Sequence, residues 1–150
     1  MNQRLNLHQK GQNALKTLFA TGSYLKKSSL ELSLRELVDF RVSQINGCAY
    51  CLDMHSKDAR AHGETEQRLY GLSAWRETPY YNDRERAALA WAEAVTAGHV
   101  PDDVYNDAIQ QFSEEELIDL TLAVTNINAW NRFNLAFPTT PGGYRVGQFG

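Results

Sequence analysis

The chain has 150 residues, of which 43% are apolar, 11% are aromatic and 22% are charged. At this length a single domain buries roughly 68 to 70% of its unfolded surface, so the composition excludes a mainly disordered chain. The net charge of −3 argues against a protein that neutralises many phosphates, and we expect no nucleic-acid partner.

The first 30 residues form a basic N-terminal arm with five basic and no acidic side chains, whereas the other 120 residues carry a charge of −8. The simplest interpretation is that the basic arm pairs with acidic surface of the same chain or of another subunit. The alternative is that the arm is a basic helix at a membrane surface. The arm lacks the apolar stretch of a signal peptide, and no run approaches the roughly 20 residues of a membrane span. We therefore expect a cytoplasmic protein without membrane contact.

Hydrophobic spacing and helix-end signals predict an all-α fold, a compact bundle of about seven helices. We expect one domain over 1–150, with the arm at 1–30, the helical core at 31–137 and a Gly/Pro-rich tail at 138–150. Helices are predicted over about 8–21, Ser33 to Gly47, 48–62, 65–75, about 84 to Gly98, and Pro101 to Phe112, with a long helix from the capping box Ser113–Glu116.

Two of these helices resemble each other. Residues 33–40 align with 113–120, and the segment 44–46 resembles 126–128 at a similar shift. A duplicated helical hairpin would produce this pattern, and so would two amphipathic helices that share a start signal.

Cys48 and Cys51 are the only cysteines and form one CxxC motif directly after Gly47, at a predicted helix start. A helix N-terminus favours the thiolate, which is the nucleophile and the species that peroxides oxidise. His55 lies one turn beyond Cys51 on the same face and is a candidate base. Position alone favours Cys48, nearer the helix N-terminus, as the nucleophile. A core stripe of two buried thiols and a buried histidine is the alternative interpretation.

Zinc is the other candidate for these residues. Cys48, Cys51 and His55 supply three ligands, but His62 lies about 10.5 Å beyond His55 along the helix axis and cannot complete a tetrahedral site. His62 is interpreted as a helix-end residue before Gly63. We therefore expect neither a metal nor another cofactor.

The stretch from Glu36 to His55, above all RVSQINGCAYCLDMH at 41–55, closely resembles the carboxymuconolactone decarboxylase family, in its AhpD-like alkylhydroperoxidase branch. The resemblance continues through 63–64, 69–77, 84–89 and 127–132. It implies an all-helical fold in which a glutamate twelve residues before the first cysteine shares a proton relay with the histidine four residues after the second. Glu36, Cys48, Cys51 and His55 match that spacing.

The resemblance also implies an order of events. Cys51 attacks the hydroperoxide substrate and becomes a sulfenic acid, Cys48 condenses with it, and an external dithiol reductant restores the pair. The better-known members carry a histidine where this chain has Tyr50, and this departure predicts weaker turnover.

The expected function is therefore a thiol-dependent peroxidase, an oxidoreductase of the peroxiredoxin type. A redox sensor or interaction module without catalysis is one alternative. A carboxymuconolactone-type decarboxylase is another, although decarboxylases of the family typically lack the CxxC motif.

Several other side chains have structural interpretations. Glu36 also fits the last position of a capping box begun by Ser33. Trp91 and Trp130 are expected in the core, and the asparagines at 126, 128 and 131 are expected to form hydrogen bonds in the interior or at an interface.

Surplus aromatic residues and the resemblance together predict a homo-oligomer, a dimer, trimer or hexamer, with the arm packed across a subunit boundary. The aromatic residues that one small core is not expected to cover are Tyr80, Tyr81, Tyr105, Phe133, Phe137, Tyr144 and Phe149.

Overall fold

The computed structural model describes residues 4–150, so the first three residues of the basic arm lie outside the described residues. All regular structure from residue 4 onward is helical, which confirms the all-α fold. The elements are α1 (Leu7–Lys10), α2 (Gln12–Lys26), α3 (Leu32–Asn46), α4 (Ala49–Ala61), α5 (Glu66–Gly71), a 3₁₀ helix (Leu72–Glu77), α6 (Asp83–Ala97), α7 (Asp102–Gln111) and α8 (Glu114–Ala136).

The predicted helix ends agree with the structure at several places. Ser113 and Glu116 form a complete capping box, each accepting the other's backbone N–H at 3.1 Å. Gly98 ends α6 in a left-handed conformation. The helix predicted over 8–21 is divided at Gly11 into α1 and α2, and the one predicted over 65–75 continues as the 3₁₀ helix.

Helices α3 and α8 pack against each other at the centre, and α6 packs on both. The main core lies between α3, α6, α7 and α8, and Trp91 belongs to it as predicted. Helix α4 packs against α3 and α8, and α2 packs on α8. Within the described chain, no helix is both long enough and apolar enough to cross a membrane.

Candidate active site

The two cysteines lie at the corner between α3 and α4. Gly47 adopts a left-handed conformation with φ of 67°, which other residues adopt only at a steric cost. The Cys48 N–H donates to the Ser43 carbonyl at 3.1 Å and so ends α3. Cys48 then caps α4, because its Sγ accepts the Cys51 N–H at 3.3 Å. The predicted helix start at the CxxC motif is confirmed.

Cys48 and Cys51 are joined by a disulfide, so the structure is the oxidised form of the pair. Both residues are almost completely buried, with exposed fractions of 1% and 2%. Of the two, Cys51 lines a large open cavity beside α4. Of the two cysteines, only Cys51 therefore borders the cavity.

The cavity has a volume of about 780 Å³ and lies between α2, α3, α4, α8 and the C-terminal tail. Clefts of this size accommodate whole organic molecules. Five carboxyl and imidazole side chains from α3, from α4 and from the residue that caps α4 belong to its wall: Glu36, Asp39, His55, Asp58 and His62. The predicted site residues Cys51, His55 and Glu36 thus share one cavity, while Cys48 lies behind Cys51.

Glu36 is buried, with 7% of its surface exposed, and its Oε1 lies 2.5 Å from His62 Nδ1. Burial raises the pKa of Glu36, and the His62 partner opposes that rise. Helix α3 begins at Leu32 with Glu31 as its cap, and Ser33 lies inside the first turn. The capping-box interpretation of Ser33 and Glu36 is therefore wrong, because the buried glutamate contacts α4 instead.

His55 lies beside Asp39, with 3.8 Å between His55 Nδ1 and Asp39 Oδ2. Burial lowers the pKa of His55 to about 4 and raises the pKa of Asp39 to about 8. Both shifts favour the uncharged form of the side chain near neutral pH, which argues against an ion pair between them. Since Glu36 and His55 have different partners within one cavity, a relay between them stays a prediction.

The C-terminal tail lines the cavity and is anchored to α4. Tyr144 Oη donates to the Asp58 carboxylate at 2.8 Å, and burial raises the pKa of Asp58 although this bond opposes the rise. Lys57 Nζ donates to the carbonyls of Gly142 and Tyr144. The Gly142 N–H donates to Asp53 Oδ2 at 2.9 Å. The tail therefore forms a wall of the site.

Asn128 and Asn131 belong to a buried hydrogen-bond network between α3 and α8. Asn46 Nδ2 donates to both of their side-chain oxygens at 2.9 Å, and Asn131 Nδ2 donates to Ser43 Oγ at 3.0 Å. The prediction of interior hydrogen-bonded groups is confirmed for these two. Asn126 differs, because it lines the cavity and its Oδ1 is unpaired within residues 4–150.

Motif spacing does not single out Asp39, Asp58 or His62 as site residues. A helical projection does contain the signal, since Asp58 and His62 follow His55 by three and seven residues and share its face. Asp39 likewise follows Glu36 by three residues. Identifying these three residues as site residues requires knowing that α3 and α4 line one cavity.

Comparisons with known proteins agree with this geometry. The model of the carboxymuconolactone decarboxylase family matches residues 12–94. The uncharacterized protein YdfG of Bacillus subtilis is 42% identical over 139 residues, which cover 91% of this chain and 95% of YdfG.

Two solved structures have similar folds. One is a protein of unknown function from Agrobacterium tumefaciens with a proposed antioxidant defence role (AhpD). Its TM-score is 0.90 at 38% identity, over 95% of this chain and all of that chain. The other is an uncharacterized peroxidase-related protein from Silicibacter sp. TM1040. Its TM-score is 0.77 at 25% identity, over 91% and 74% of the two chains.

Proposed function

This chain belongs to the carboxymuconolactone decarboxylase family, and we propose that it is a thiol-dependent peroxidase that reduces hydroperoxides with Cys48 and Cys51. One observation carries the proposal: Cys51, in the first turn of α4, lines a cavity together with His55 and Glu36. A helix N-terminus stabilises the thiolate that attacks peroxides. The antioxidant and peroxidase-related descriptions of two structural neighbours support the same chemistry.

The proposed cycle starts from the reduced pair. The Cys51 thiolate attacks one oxygen of the hydroperoxide, so that an S–O bond forms while the O–O bond breaks. Cys51 becomes a sulfenic acid, and the other oxygen takes up a proton and leaves as an alcohol. His55 is the proposed base for the Cys51 thiol, because it lies one turn beyond Cys51 on α4 and lines the same cavity. Burial lowers its pKa, which leaves a ring nitrogen free to accept a proton. The proton it accepts is the one that the leaving alkoxide takes up.

Cys48 completes the oxidative half of the cycle. Its thiol attacks the sulfenic sulfur of Cys51, the S–S bond forms, and the sulfenic oxygen leaves as water. A disulfide between the two residues is the expected product of this step, and it is the same whichever cysteine attacks the peroxide first. An external dithiol then reduces the disulfide by exchange and leaves as its own disulfide.

Glu36 is assigned to the same proton relay. Burial raises its pKa, and a carboxyl group with a raised pKa exchanges protons more readily near neutral pH. Glu36 and His55 line one cavity, which supports a relay between them. The contact of Glu36 with His62 adds a second histidine to the groups that the relay includes.

Steady-state consumption of cumene hydroperoxide with dithiothreitol as the donor tests the proposal. Wild type is expected to consume many equivalents per chain, Cys51→Ser none, and Cys48→Ser fewer because no internal disulfide forms. Consumption of a single equivalent by wild type would contradict turnover and favour a redox sensor without catalysis. Peroxide consumption that survives both substitutions would contradict a reaction at the cysteines.

A further inference from the structure

The cavity beside Cys51 is lined by the residues whose buried side-chain polar atoms lack a hydrogen-bond partner in the described part of the chain. Buried polar atoms in folded proteins are nearly always hydrogen-bonded. Within residues 4–150 four buried side-chain atoms lack a partner, and the residues that carry them all line this cavity: His8 Nε2, Arg35 Nε, Asn126 Oδ1 and Asn134 Oδ1. Each of these atoms is covered in the structure, so a ligand with matching polar groups would satisfy them after small movements of the side chains around them.

Of the four unpaired atoms, Asn134 Oδ1 is the one whose identity is best defined. Asn134 is 7% exposed, and its Nδ2 donates to the Trp130 carbonyl at 3.0 Å. That bond fixes the orientation of the amide, because a flipped amide would place two oxygens together. The unpaired atom is therefore the side-chain oxygen, which accepts a hydrogen bond and cannot donate one.

Helix α8 presents a stripe of two amide side chains with an aromatic side chain between them to the cavity. Asn126, Trp130 and Asn134 follow one another at intervals of one turn, and all three line the cavity. The two asparagines are about 12 Å apart along the helix axis. An indole ring thus lies between two amide groups on one wall.

Aromatic rings extend this wall toward α4. The ring centroids of Trp130 and Phe19 are 5.0 Å apart, those of Phe19 and Phe149 are 5.9 Å apart, and those of Phe149 and Tyr144 are 5.9 Å apart. Tyr144 in turn donates to Asp58 of α4. A continuous row of rings therefore connects the asparagine stripe with the helix that carries Cys51.

We propose that this stripe and ring row form a binding subsite for a neutral organic molecule with a flat apolar body and an O–H or N–H group that donates to Asn134. That the bound molecule is a substrate rests on the proposed peroxidase function, whereas the binding itself does not. A neutral molecule fits this wall, because the wall carries groups of both signs. The basic side chains are those of Arg35 and Lys26, and the carboxyl groups are those of Glu36, Asp39 and Asp58. Hydrogen peroxide lacks the apolar body that the subsite contacts.

Calorimetric titration of the oxidised protein with 4-tert-butylphenol and 4-tert-butylanisole tests the subsite without any turnover. The two probes share an apolar aromatic body, but only the phenol has a donor. Wild type is expected to bind the phenol about three- to tenfold more tightly than the anisole, the value of one hydrogen bond. Equal affinities, or no binding of either probe, would overturn the proposal.

Asn134→Leu is expected to remove the preference for the phenol and to keep the affinity for the anisole. The substitution leaves the Trp130 carbonyl its helical hydrogen bond, so the fold is expected to survive, and Asn134→Ala provides a second variant. Asn106→Leu, an exposed asparagine on α7, is the matched control and is expected to behave as wild type. A phenol preference that persists in both Asn134 variants would refute the assignment. Absent peroxidase activity with intact phenol binding would instead count against the proposed function alone.

Discussion

Cys51 and Cys48 differ in their surroundings, although both are buried. Cys51 lies in the first turn of α4 and lines the cavity, whereas Cys48 caps the helix and does not reach the cavity wall. In the reduced protein, backbone N–H groups and the helix dipole favour the thiolate at this end of α4. The residue with cavity access is therefore the expected nucleophile, and the capping residue is the expected partner.

The first prediction concerns the reactivity of the Cys51 thiol in the reduced protein. Cys51 is expected to react with iodoacetamide at neutral pH faster than a model thiol, because the helix N-terminus favours its thiolate and His55 is the proposed acceptor of the thiol proton. His55→Ala is expected to slow the reaction about tenfold or more, the scale of a lost general base.

His99→Ala, at an exposed position after α6, provides the control and is expected to leave the rate unchanged. If His55→Ala lowers the free energy of unfolding but not the thiol reactivity, His55 is a core residue and the base assignment fails.

Burial raises the pKa of Asp39 from 3.8 to about 8. The folded state keeps a proton that the unfolded state releases above pH 3.8, so the stability contributed by protonated Asp39 is lost as pH rises toward 8. Asparagine has the same shape without the charge. Asp39→Asn is therefore expected to gain up to about 5 kcal/mol relative to wild type between pH 4 and pH 8, because each unit of the pKa shift corresponds to roughly 1.4 kcal/mol.

Urea unfolding at both pH values measures this gain. Asp107→Asn, at an exposed site on α7, is the control and is expected to show no such pH dependence. A difference between Asp39→Asn and wild type that is the same at both pH values would rule out a protonated Asp39.

At the scale of the elements, the turn from α3 into α4 positions the cysteines. Gly47 has a positive φ, and a Cβ added there would contact nothing within 4 Å, so only backbone strain opposes a larger residue. Gly47→Ala is expected to lower the free energy of unfolding by about 1 to 2 kcal/mol. The measurement is urea denaturation of the oxidised protein.

Gly22→Ala is the matched control on α2. Its added Cβ also meets nothing within 4 Å, but Gly22 lies inside a helix, so the substitution is expected to stabilise the protein by about 0.5 to 1 kcal/mol. Effects of the same sign at the two glycines would contradict the explanation that backbone strain at the positive φ of Gly47 opposes a larger residue.

Helix ends were predictable from the sequence because their signals are local. The capping box of Ser113 and Glu116 and the terminal Gly47 and Gly98 depend on residues a few positions apart, and the structure confirms each of them. Glu36 was not predictable in the same way. The local pattern favours a capping box with Ser33, whereas burial against α4 pairs Glu36 with a histidine 26 residues away.

The candidate site was predictable only where one helix carries it. Cys48, Cys51 and His55 share α4, so their relation follows from helical spacing. Asp39, which lies beside His55, comes from α3, and the unpaired Asn134 comes from α8. The sequence does not specify how closely those helices approach, and the cavity between them depends on that packing.

At the scale of the whole molecule, the basic arm packs on its own chain. Arg4 donates to the Ala136 carbonyl at 3.1 Å, and Tyr24 donates to Asp119 at 2.8 Å, so α8 contacts the arm at two places. Tyr81 and Tyr144, two of the aromatic residues expected at interfaces, are buried within the single chain. Tyr105 is 48% exposed and remains available for an interface.

Assembly into a homo-oligomer stays our prediction. Light scattering at micromolar concentration is expected to give the mass of a dimer, trimer or hexamer. Deleting residues 1–22 is expected to lower that mass together with the melting temperature. Because the deletion also removes the buried Leu15, a lower melting temperature alone is uninformative, and a monomeric full-length protein would contradict the prediction.

The central claim is that Cys51 is the peroxide-reactive residue and Cys48 its resolving partner. Mass spectrometry of reduced Cys48→Ser after one equivalent of cumene hydroperoxide, with dimedone as the trap, tests it most directly. The account predicts a dimedone adduct of the sulfenic acid at Cys51, and no adduct at Cys48 when Cys51→Ser is treated identically. An adduct at Cys48 in Cys51→Ser, with Cys51 unmodified in Cys48→Ser, would contradict the account.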